Sequence, residues 1–381
     1  VRLTVDVEAT DGAARVGTVR TARGAIATPV FMPVGTRGAV RALPTHDVAA
    51  LAGADGTRAE VMLGNTYHLM LRPGADVVAE LGGLHRFSGW DRHLLTDSGG
   101  YQVFSLAPKV TDDGVRFRSA YDGDEVLLSP EGAVAVQEQL GADIQMVLDV
   151  CPALPAEPRV LRSAVDRTAA WAARARAAHR RTHDQALFGI VQGGTDPGLR
   201  AESARRTVEL DFDGYAVGGL SVGERREQLL EALAVALDVL PADQPRYLMG
   251  VGDPVSIVEA VALGVDMFDC VLPTRLARHG TLLTDRGRLN IKRSEFARDT
   301  DPIEPGCPCP TCTHYERGYL RHLVALREPV AATMCTAHNV TWMLTLVGRI
   351  RAAIRSGTLG ALRAEVAGAW AGMAPGAEPG S

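Results

Sequence analysis

The sequence predicts an α/β protein, a (β/α)8 TIM barrel with an N-terminal hairpin and an inserted subdomain near the C-terminus. Three observations carry that reading. Eight short apolar runs recur over about 250 residues, the usual span of such a barrel. Helix-period segments separate several of them, as βα units around a parallel sheet require. An open doubly wound sheet would want a glycine fingerprint after its first strand, and "PVGTRG" (33–38) supplies none.

The elements follow in order. "LTVDVEATDGAARVGTVRTARG" (3–24) alternates around Asp11-Gly12 and reads as a hairpin capping the bottom of the barrel. The first four runs are "PVFMPV" (29–34), "EVMLGNT" (60–66), "HLLTDSGG" (93–100) and "DIQMVLDV" (143–150). The next four are "ALFGIVQGG" (186–194), "GYAVGGL" (214–220), "RYLMGVG" (246–252) and "DMFDCVLP" (266–273). Helical spacing marks 159–181 and 226–240. "GVRFRSAYDGDEVLLS" (114–129) reads as a hairpin inserted between the third and fourth runs. From about 280 to 355 the βα rhythm stops. The expected organisation is a barrel over 1–279, a cysteine-bearing subdomain over 280–340, C-terminal helices packing on the barrel over 341–371, and a frayed tail over 372–381.

Totals exclude several classes. With 46% hydrophobic and 22% charged residues, the 381-residue chain has a globular composition, well away from disorder. No apolar stretch is long enough to span a bilayer and no leader pattern opens the chain, so a cytoplasmic protein is expected. A formal charge of −5 gives no global pull towards nucleic acid, so such binding needs a local patch.

Cys307, Cys309 and Cys312 form C-x-C-x2-C in a chain with only six cysteines. In a reducing compartment this spacing points to metal, and zinc wants a fourth ligand. His314, His322, Cys335 and His338 are the candidates. His314 lies too close to Cys312. His338, which would open the helix "HNVTWMLTLVGRIRAAIR", is favoured over Cys335 on spacing. Four filled positions leave none for substrate, so one structural zinc ion per subunit is expected. Three reduced thiols in a tight loop are the plainer alternative.

Barrel chemistry sits at the C-terminal mouth. The strand ends carry Asp97, Asp149, Gln192, Gly218, Gly219, Met249 and Asp269. A carboxylate ending an apolar strand costs several kcal/mol to desolvate unless partnered. Each alone reads equally well as a cap or turn acceptor; three together with a glutamine point to a polar mouth. The glycines of "DSGGY", "QGG" and "VGGL" suit close backbone approach to a flat ligand, or are ordinary loop glycines. Tyr101 and Met249 fit either the two faces of a planar ring or the core. Paired carboxylates at one glycosidic bond point to substitution at an anomeric carbon. Six basic residues between 275 and 293 (Arg275, Arg278, Arg286, Arg288, Lys292, Arg293), against Asp285 alone, form a strip that suits a polyanion or a solvated face.

"LTDSGGYQVFSL", "GIVQGG", "YAVGGLSVGE", "YLMGVG", "MFDCVLPTR" and the cysteine motif with "HN" 26 residues later resemble tRNA-guanine transglycosylase, the bacterial queuine tRNA-ribosyltransferase, over nearly the whole chain. The resemblance implies a homodimeric pentosyltransferase that exchanges guanine at the wobble position of GUN-anticodon tRNAs for preQ1, a step of queuosine biosynthesis. By that resemblance Asp269 is the nucleophile and Asp97 the general acid/base. Ser98, Gly99, Gly100, Asp149, Gln192, Gly218 and Gly219 hold the base, and Tyr101 and Met249 stack on it. Gly250, Val251, Gly252, Asp253, Pro254, Val255 and Ser256 lie along the anticodon stem-loop, as do Thr274, Arg275, Leu276, Ala277 and Arg278. Cys307, Cys309, Cys312 and His338 bind zinc. Bacterial members usually carry Asp-Glu-Cys where Asp149-Val150-Cys151 stands here, a change that bears on the choice among 7-deazaguanines. "ARHGTLLTDRG" (277–287) replaces the commoner Gly-Arg-Asn-Gly pattern, and Val222 resembles the preQ1-preferring form. A small-molecule glycosidase and a non-enzymatic RNA-binding barrel are the rival readings; the pairing of Asp97 with Asp269 speaks against the second.

Overall fold

A computed structural model describes residues 3–104 and 109–370. Its centre is a closed barrel of eight strands: Val30–Gly35 (β1), Val61–Gly64 (β2), His93–Thr96 (β3), Ile144–Met146 (β4), Ala186–Val191 (β5), Gly214–Val217 (β6), Arg246–Leu248 (β7) and Met267–Cys270 (β8). Each expected run supplies one strand. Neighbours are parallel throughout, and β8 closes on β1 in register from Met267↔Val30 to Cys270↔Pro33. The strands are continuously apolar because both faces are covered, by the barrel interior and by the helical ring. Every residue of β5 is buried. Phe188, Phe212, Tyr215, Tyr247 and Phe268 belong to one core.

Three ring helices start on the same local device, a capping side chain followed by proline. Ser129 accepts from Gly132 N at the head of Pro130–Leu140, Asp196 from Leu199 N at the head of Pro197–Val208, and Asp253 from Ser256 N at the head of Pro254–Ala262. The cap satisfies an amide the helix leaves open, and proline at the first position gives up one it does not need. These helices therefore begin at a fixed residue, which fixes the loops at the mouth.

The N-terminal hairpin is present and gains a third strand. Val5–Asp11, Ala14–Arg20 and Ala25–Thr28 form an antiparallel sheet, with Gly12 in the left-handed region (φ 64°) at the first turn. The sheet seats on the bottom of the barrel. Val5 N donates to Asp243 O at 2.9 Å, and Arg15 forms a two-pronged pair with Asp266 at 2.8 and 2.6 Å while also reaching the carbonyls of Ala242 and Gln244. The inserted hairpin between β3 and β4 is likewise three-stranded, from Lys109–Val110, Val115–Arg118 and Glu125–Leu128.

Beyond β8 the chain forms helix Leu272–Arg278, a hairpin of Thr281–Thr284 with Gly287–Asn290, and short helices around the cysteines. It then returns as the 28-residue helix Pro329–Ser356. That helix packs on Leu272–Arg278 at one end and on β1 and the N-terminal sheet at the other. Helix Leu359–Ala369 packs on it and on Pro254–Ala262. The last part of the outer ring is thus built by chain from beyond the cysteines, and the expected boundary at 340 falls inside one helix. His338 does not open a helix, contrary to expectation. Pro329 does, because proline suits a first helical position and "VAATMCTA" after it continues the helix without a break. Ala371 and the tail 372–381 lie outside the described residues.

Asp266 is fully buried, and among the described residues its carboxylate accepts, besides Arg15, from Arg246 N alone, at 2.8 Å. Removing one partner of a buried pair leaves the other uncompensated, at about 3–5 kcal/mol. Arg15→Met should lower stability by that amount in denaturant titrations, and adding Asp266→Leu should recover most of it. A loss under about 1 kcal/mol for the single variant would show that the pair does not hold the sheet to the barrel.

Candidate active site

The mouth is assembled from residues that directly follow the barrel strands. Asp97 comes immediately after β3. Its Oδ1 accepts from Thr66 N at 2.9 Å and Gly99 N at 3.1 Å, and its Oδ2 from Asn65 Nδ2 at 2.5 Å. Asn65 also caps helix Thr66–Leu71 by accepting from His68 N, so the helix start and the carboxylate are fixed by one side chain. Burial pushes the Asp97 carboxyl up to about 7, against the pull of those donors, and the charges of Asp269 and Asp149 push it the same way.

Asp149 follows β4. It accepts from Gln192 Nε2 at 2.6 Å and Ser98 Oγ at 3.4 Å, and burial raises its carboxyl to about 6. Asp269 lies in β8, where Oδ1 accepts from the Tyr247 hydroxyl at 2.5 Å and Gly250 N at 2.8 Å. Burial raises this carboxyl as well, while those two donors favour its anion. The Tyr247 phenol is itself raised well above the ordinary range by burial and by Asp269, which keeps it a donor.

The glycines act through close approach. A Cβ on Gly219 (φ 64°) would fall 2.1 Å from Gln192 Oε1, and one on Gly218 would fall 3.0 Å from Gln192 Nε2 and 3.5 Å from Met249 Sδ. Gly99 and Gly100 bring helix Gly100–Phe104 against Tyr67 and the Asp149 backbone in the same way. Tyr101 stands on that helix with its side chain 62% exposed, within electrostatic reach of Cys151, Cys270 and Arg275. Gln192 Oε1 is buried without a hydrogen-bond partner among the described residues, an acceptor facing the space beside Gly219.

The two segments expected along RNA are mostly inward-facing. Val251, Gly252, Pro254, Val255 and Ser256 are buried, and Asp253 is engaged in capping Ser256 and pairing with Arg226 at 3.1 Å. Gly250 is exposed. Thr274, Leu276 and Ala277 are buried, while Arg275 and Arg278 are half-buried. Further along the strip, Arg286, Lys292 and Arg293 are exposed.

Cys307, Cys309, Cys312 and His338 converge, with their ligand atoms all within 4.8 Å of one another. His338 Nδ1 lies 3.7, 3.7 and 3.3 Å from the three sulfurs. Ligands around a tetrahedral zinc ion stand about 3.5 Å apart from nitrogen to sulfur, given bond lengths of about 2.0 and 2.3 Å. His338 Nε2 donates to Leu283 O at 2.8 Å, which leaves Nδ1 as the lone-pair nitrogen aimed at the sulfurs. The donor set therefore fits a zinc site. Cys335 is buried in an adjacent apolar cluster, His314 is exposed and bonded to Pro310 O, and His322 is exposed; none joins the group.

Sequence reasoning missed three supporting residues. Asn65 ends the second run in "LGNT", and an Asn cap there was a readable signal. Tyr247 stands two residues before Met249, so period two puts both side chains on one face of the chain. Arg200 left no signal. It is fully buried in helix Pro197–Val208 and donates to the carbonyls of Val191, Gly194, Gly218 and Gly219 at 2.8–3.1 Å, tying the loop after β5 to the loop after β6.

A hydrogen bond to a charged group is worth about 1.5–3 kcal/mol. Tyr247→Phe removes one from Asp269 and raises its carboxyl further, so the anionic form is reached only at higher pH. The acid limb of the pH–rate profile should move to higher pH, and the chemical step should slow by roughly 10- to 100-fold with the fold intact. An unmoved limb would show that the phenol does not govern Asp269.

The sequence matches known proteins along nearly its whole length. The family described as queuine tRNA-ribosyltransferase matches residues 10–372. A queuine tRNA-ribosyltransferase of Symbiobacterium thermophilum is 52% identical over 353 residues, 92% of this chain and 87% of its own length. Proteins of the same name from Moorella thermoacetica (51% over 348 residues, 91% of each chain) and Bacillus pumilus (49% over 354 residues, 92% of this chain and 91% of its own) are comparably similar. With three carboxyls at the ends of barrel strands, a Cys3His cluster in the chain beyond the last strand and half the sequence shared along nearly its whole length, the chain belongs to the queuine tRNA-ribosyltransferase family of pentosyltransferases.

Proposed function

We propose that the protein exchanges guanine at the wobble position of tRNAs with a GUN anticodon, those for aspartate, asparagine, histidine and tyrosine, for the 7-deazaguanine preQ1. The observation that carries this reading is one mouth holding two aspartates in different settings. Asp269 has its anion held by a phenol and an amide, whereas Asp97 is poised near neutrality and feels the charge of Asp269. Groups whose surroundings set them apart in this way divide nucleophilic and acid–base work.

The steps follow from that division. An Asp269 oxygen attacks the ribose C1′ of the wobble nucleotide and the C1′–N9 bond breaks, its electron pair leaving with guanine. Asp97 in its acid form supplies the proton that neutralises the departing base. After guanine leaves, preQ1 enters, gives its N9 proton to the Asp97 carboxylate, and its N9 attacks C1′ to expel Asp269. Two displacements retain the anomeric configuration and need no net redox change. Asp149, Gln192 and the backbone at Gly218 and Gly219 read the base edge, with Ser98 and Gly100 supporting Asp149. Tyr101 and Met249 cover the faces of the ring. Arg275 and Arg278 meet the anticodon loop, and the 250–256 segment contributes backbone at Gly250.

Cys307, Cys309, Cys312 and His338 would hold one structural zinc ion, which would tie the 307–312 segment to helix Pro329–Ser356. A homodimer is part of the proposal. Its support is a stacked, exposed pair, Tyr315 and Tyr319, with exposed Leu326 and Val330 in the same subdomain. No helix among the described residues is long and apolar enough to cross a membrane, in keeping with a cytoplasmic enzyme.

The test is an exchange assay with labelled guanine on a wobble-guanine tRNA, with preQ1, preQ0 and queuine compared as incoming bases. Wild-type protein should incorporate the label and should form an adduct with tRNA that survives a denaturing gel. Asp269→Asn should abolish both, because an amide does not attack C1′. An adduct of normal yield in that variant would remove the assigned nucleophile, and label entering free nucleosides as readily as tRNA would favour a small-molecule glycosidase.

A further inference from the structure

We propose that Arg41, on the loop following β1, joins Arg275 and Arg278 in a three-cation clamp on backbone phosphates of the RNA strand whose nucleotide reaches Asp269. The proposal rests on the tRNA reading above and adds a residue from the opposite side of the barrel seam.

The seam supplies the geometry. β8 and β1 are hydrogen-bonded neighbours up to Cys270↔Pro33, so the segments leaving them emerge side by side at the mouth. Helix Leu272–Arg278 leaves from β8, carrying Arg275 and Arg278. The turn Val40–Leu43 leaves from β1. Val40 and Leu43 are 1% and 4% exposed, and Leu43 N donates to Val40 O at 3.0 Å. Both ends of the turn are therefore anchored while Arg41 between them is exposed. Ala42 takes φ 68°, a left-handed conformation costing roughly 1–2 kcal/mol for a residue with a Cβ. Arg41 is thus presented from a fixed backbone.

The charges supply the chemistry. Arg41 and Arg275 both act on Arg278, adding to burial in making its cation less favourable. No carboxylate lies within ion-pair distance of Arg41, Arg275 or Arg278 among the described residues. Among the described residues, the trio's one side-chain hydrogen bond runs from Arg278 Nη1 to Thr274 O at 3.1 Å. Many arginines elsewhere on the surface are neutralised locally, as in Arg355–Glu8, Arg363–Glu259, Arg162–Glu202 and Arg174–Glu131, and of those that are not, Arg58 and Arg298 do not stand at the barrel seam. Gathering like charges without counter-charge is unfavourable in the free protein, and a phosphodiester backbone relieves it. Arg275 also lies within electrostatic reach of Cys270, the neighbour of Asp269, so phosphates held here flank the reacting nucleotide.

Each phosphate neutralised on single-stranded RNA contributes about 0.7 to the slope of log affinity against log salt. Binding of an anticodon stem-loop RNA to the full chain is measured between about 50 and 200 mM KCl, for wild type, Arg41→Ala, Arg41→Gln, Arg41→Lys and Arg20→Ala. Arg20 sits on the N-terminal sheet at the far end of the barrel and serves as the control for net charge. The expected result is a slope lower by about 0.7 in Arg41→Ala and Arg41→Gln, so that wild type loses about 2.6-fold more affinity over that range than they do. Arg41→Lys and Arg20→Ala should keep the wild-type slope. An unchanged slope in Arg41→Ala and Arg41→Gln, with wild type binding RNA normally, overturns the clamp alone, as does an equal loss in Arg20→Ala. Wild type that neither binds the RNA nor exchanges guanine removes the tRNA reading and the clamp with it.

Discussion

Placing Asp97, Asp149 and Asp269 together at one end of the barrel strips each of much of its hydration and sets Asp97 against the charge of the other two. Holding Asp97 as an anion there costs roughly 4 kcal/mol relative to water, since its carboxyl is pushed up to about 7. The fold answers with donors supplied by neighbouring strand ends: Asn65, Thr66 and Gly99 for Asp97; Gln192 and Ser98 for Asp149; Tyr247 and Gly250 for Asp269. Each set comes from a different βα junction, so the three carboxyls respond differently to the same burial. Asp97 is thereby poised near neutrality, while Asp269 has two donors that favour its anion against the upward push of burial.

Such a mouth is only as precise as the ends of the strands that build it. At the bottom, the N-terminal sheet ties the chain before β7 and β8 through Arg15 and Asp266. Near the top, Arg200 joins two loops by their carbonyls, and the cap–proline starts at Asp196 and Asp253 fix where the following helices begin. The Cys3His cluster belongs to the same scaffolding. His338 reaches the hairpin at Leu283, and the adjacent Asn339 accepts from Leu283 N and donates to Pro273 O, so the metal-binding segment is attached to the helix that follows β8. Its position makes it relevant to the arginines of Leu272–Arg278.

The barrel was legible in the sequence because eight continuously apolar runs are the number it needs and no glycine fingerprint favoured an open sheet, and the strand-end aspartates stood out against them. The cysteine motif was equally plain. Contacts made through backbone atoms were not legible. Arg200 looks like any helical arginine until its four carbonyl partners are in place, and Arg41 gains meaning only when β1 closes on β8. The interior position of His338 escaped because Cys335 and the residues before it carry no apolar period, although they continue the helix. In the segments 250–256 and 274–278, motif similarity named twelve residues together, whereas burial leaves chiefly Gly250, Arg275 and Arg278 open to a partner.

The measurement closest to the centre of this account is a site-resolved titration of the Asp97 carboxyl, by carbon-detected NMR or infrared spectroscopy on labelled protein, in wild type and in Asp269→Asn. Mutual burial in one mouth predicts a midpoint near 7 in wild type and a lower one once the Asp269 charge is gone. A midpoint in the ordinary carboxylate range near 4, unmoved by the substitution, would contradict it.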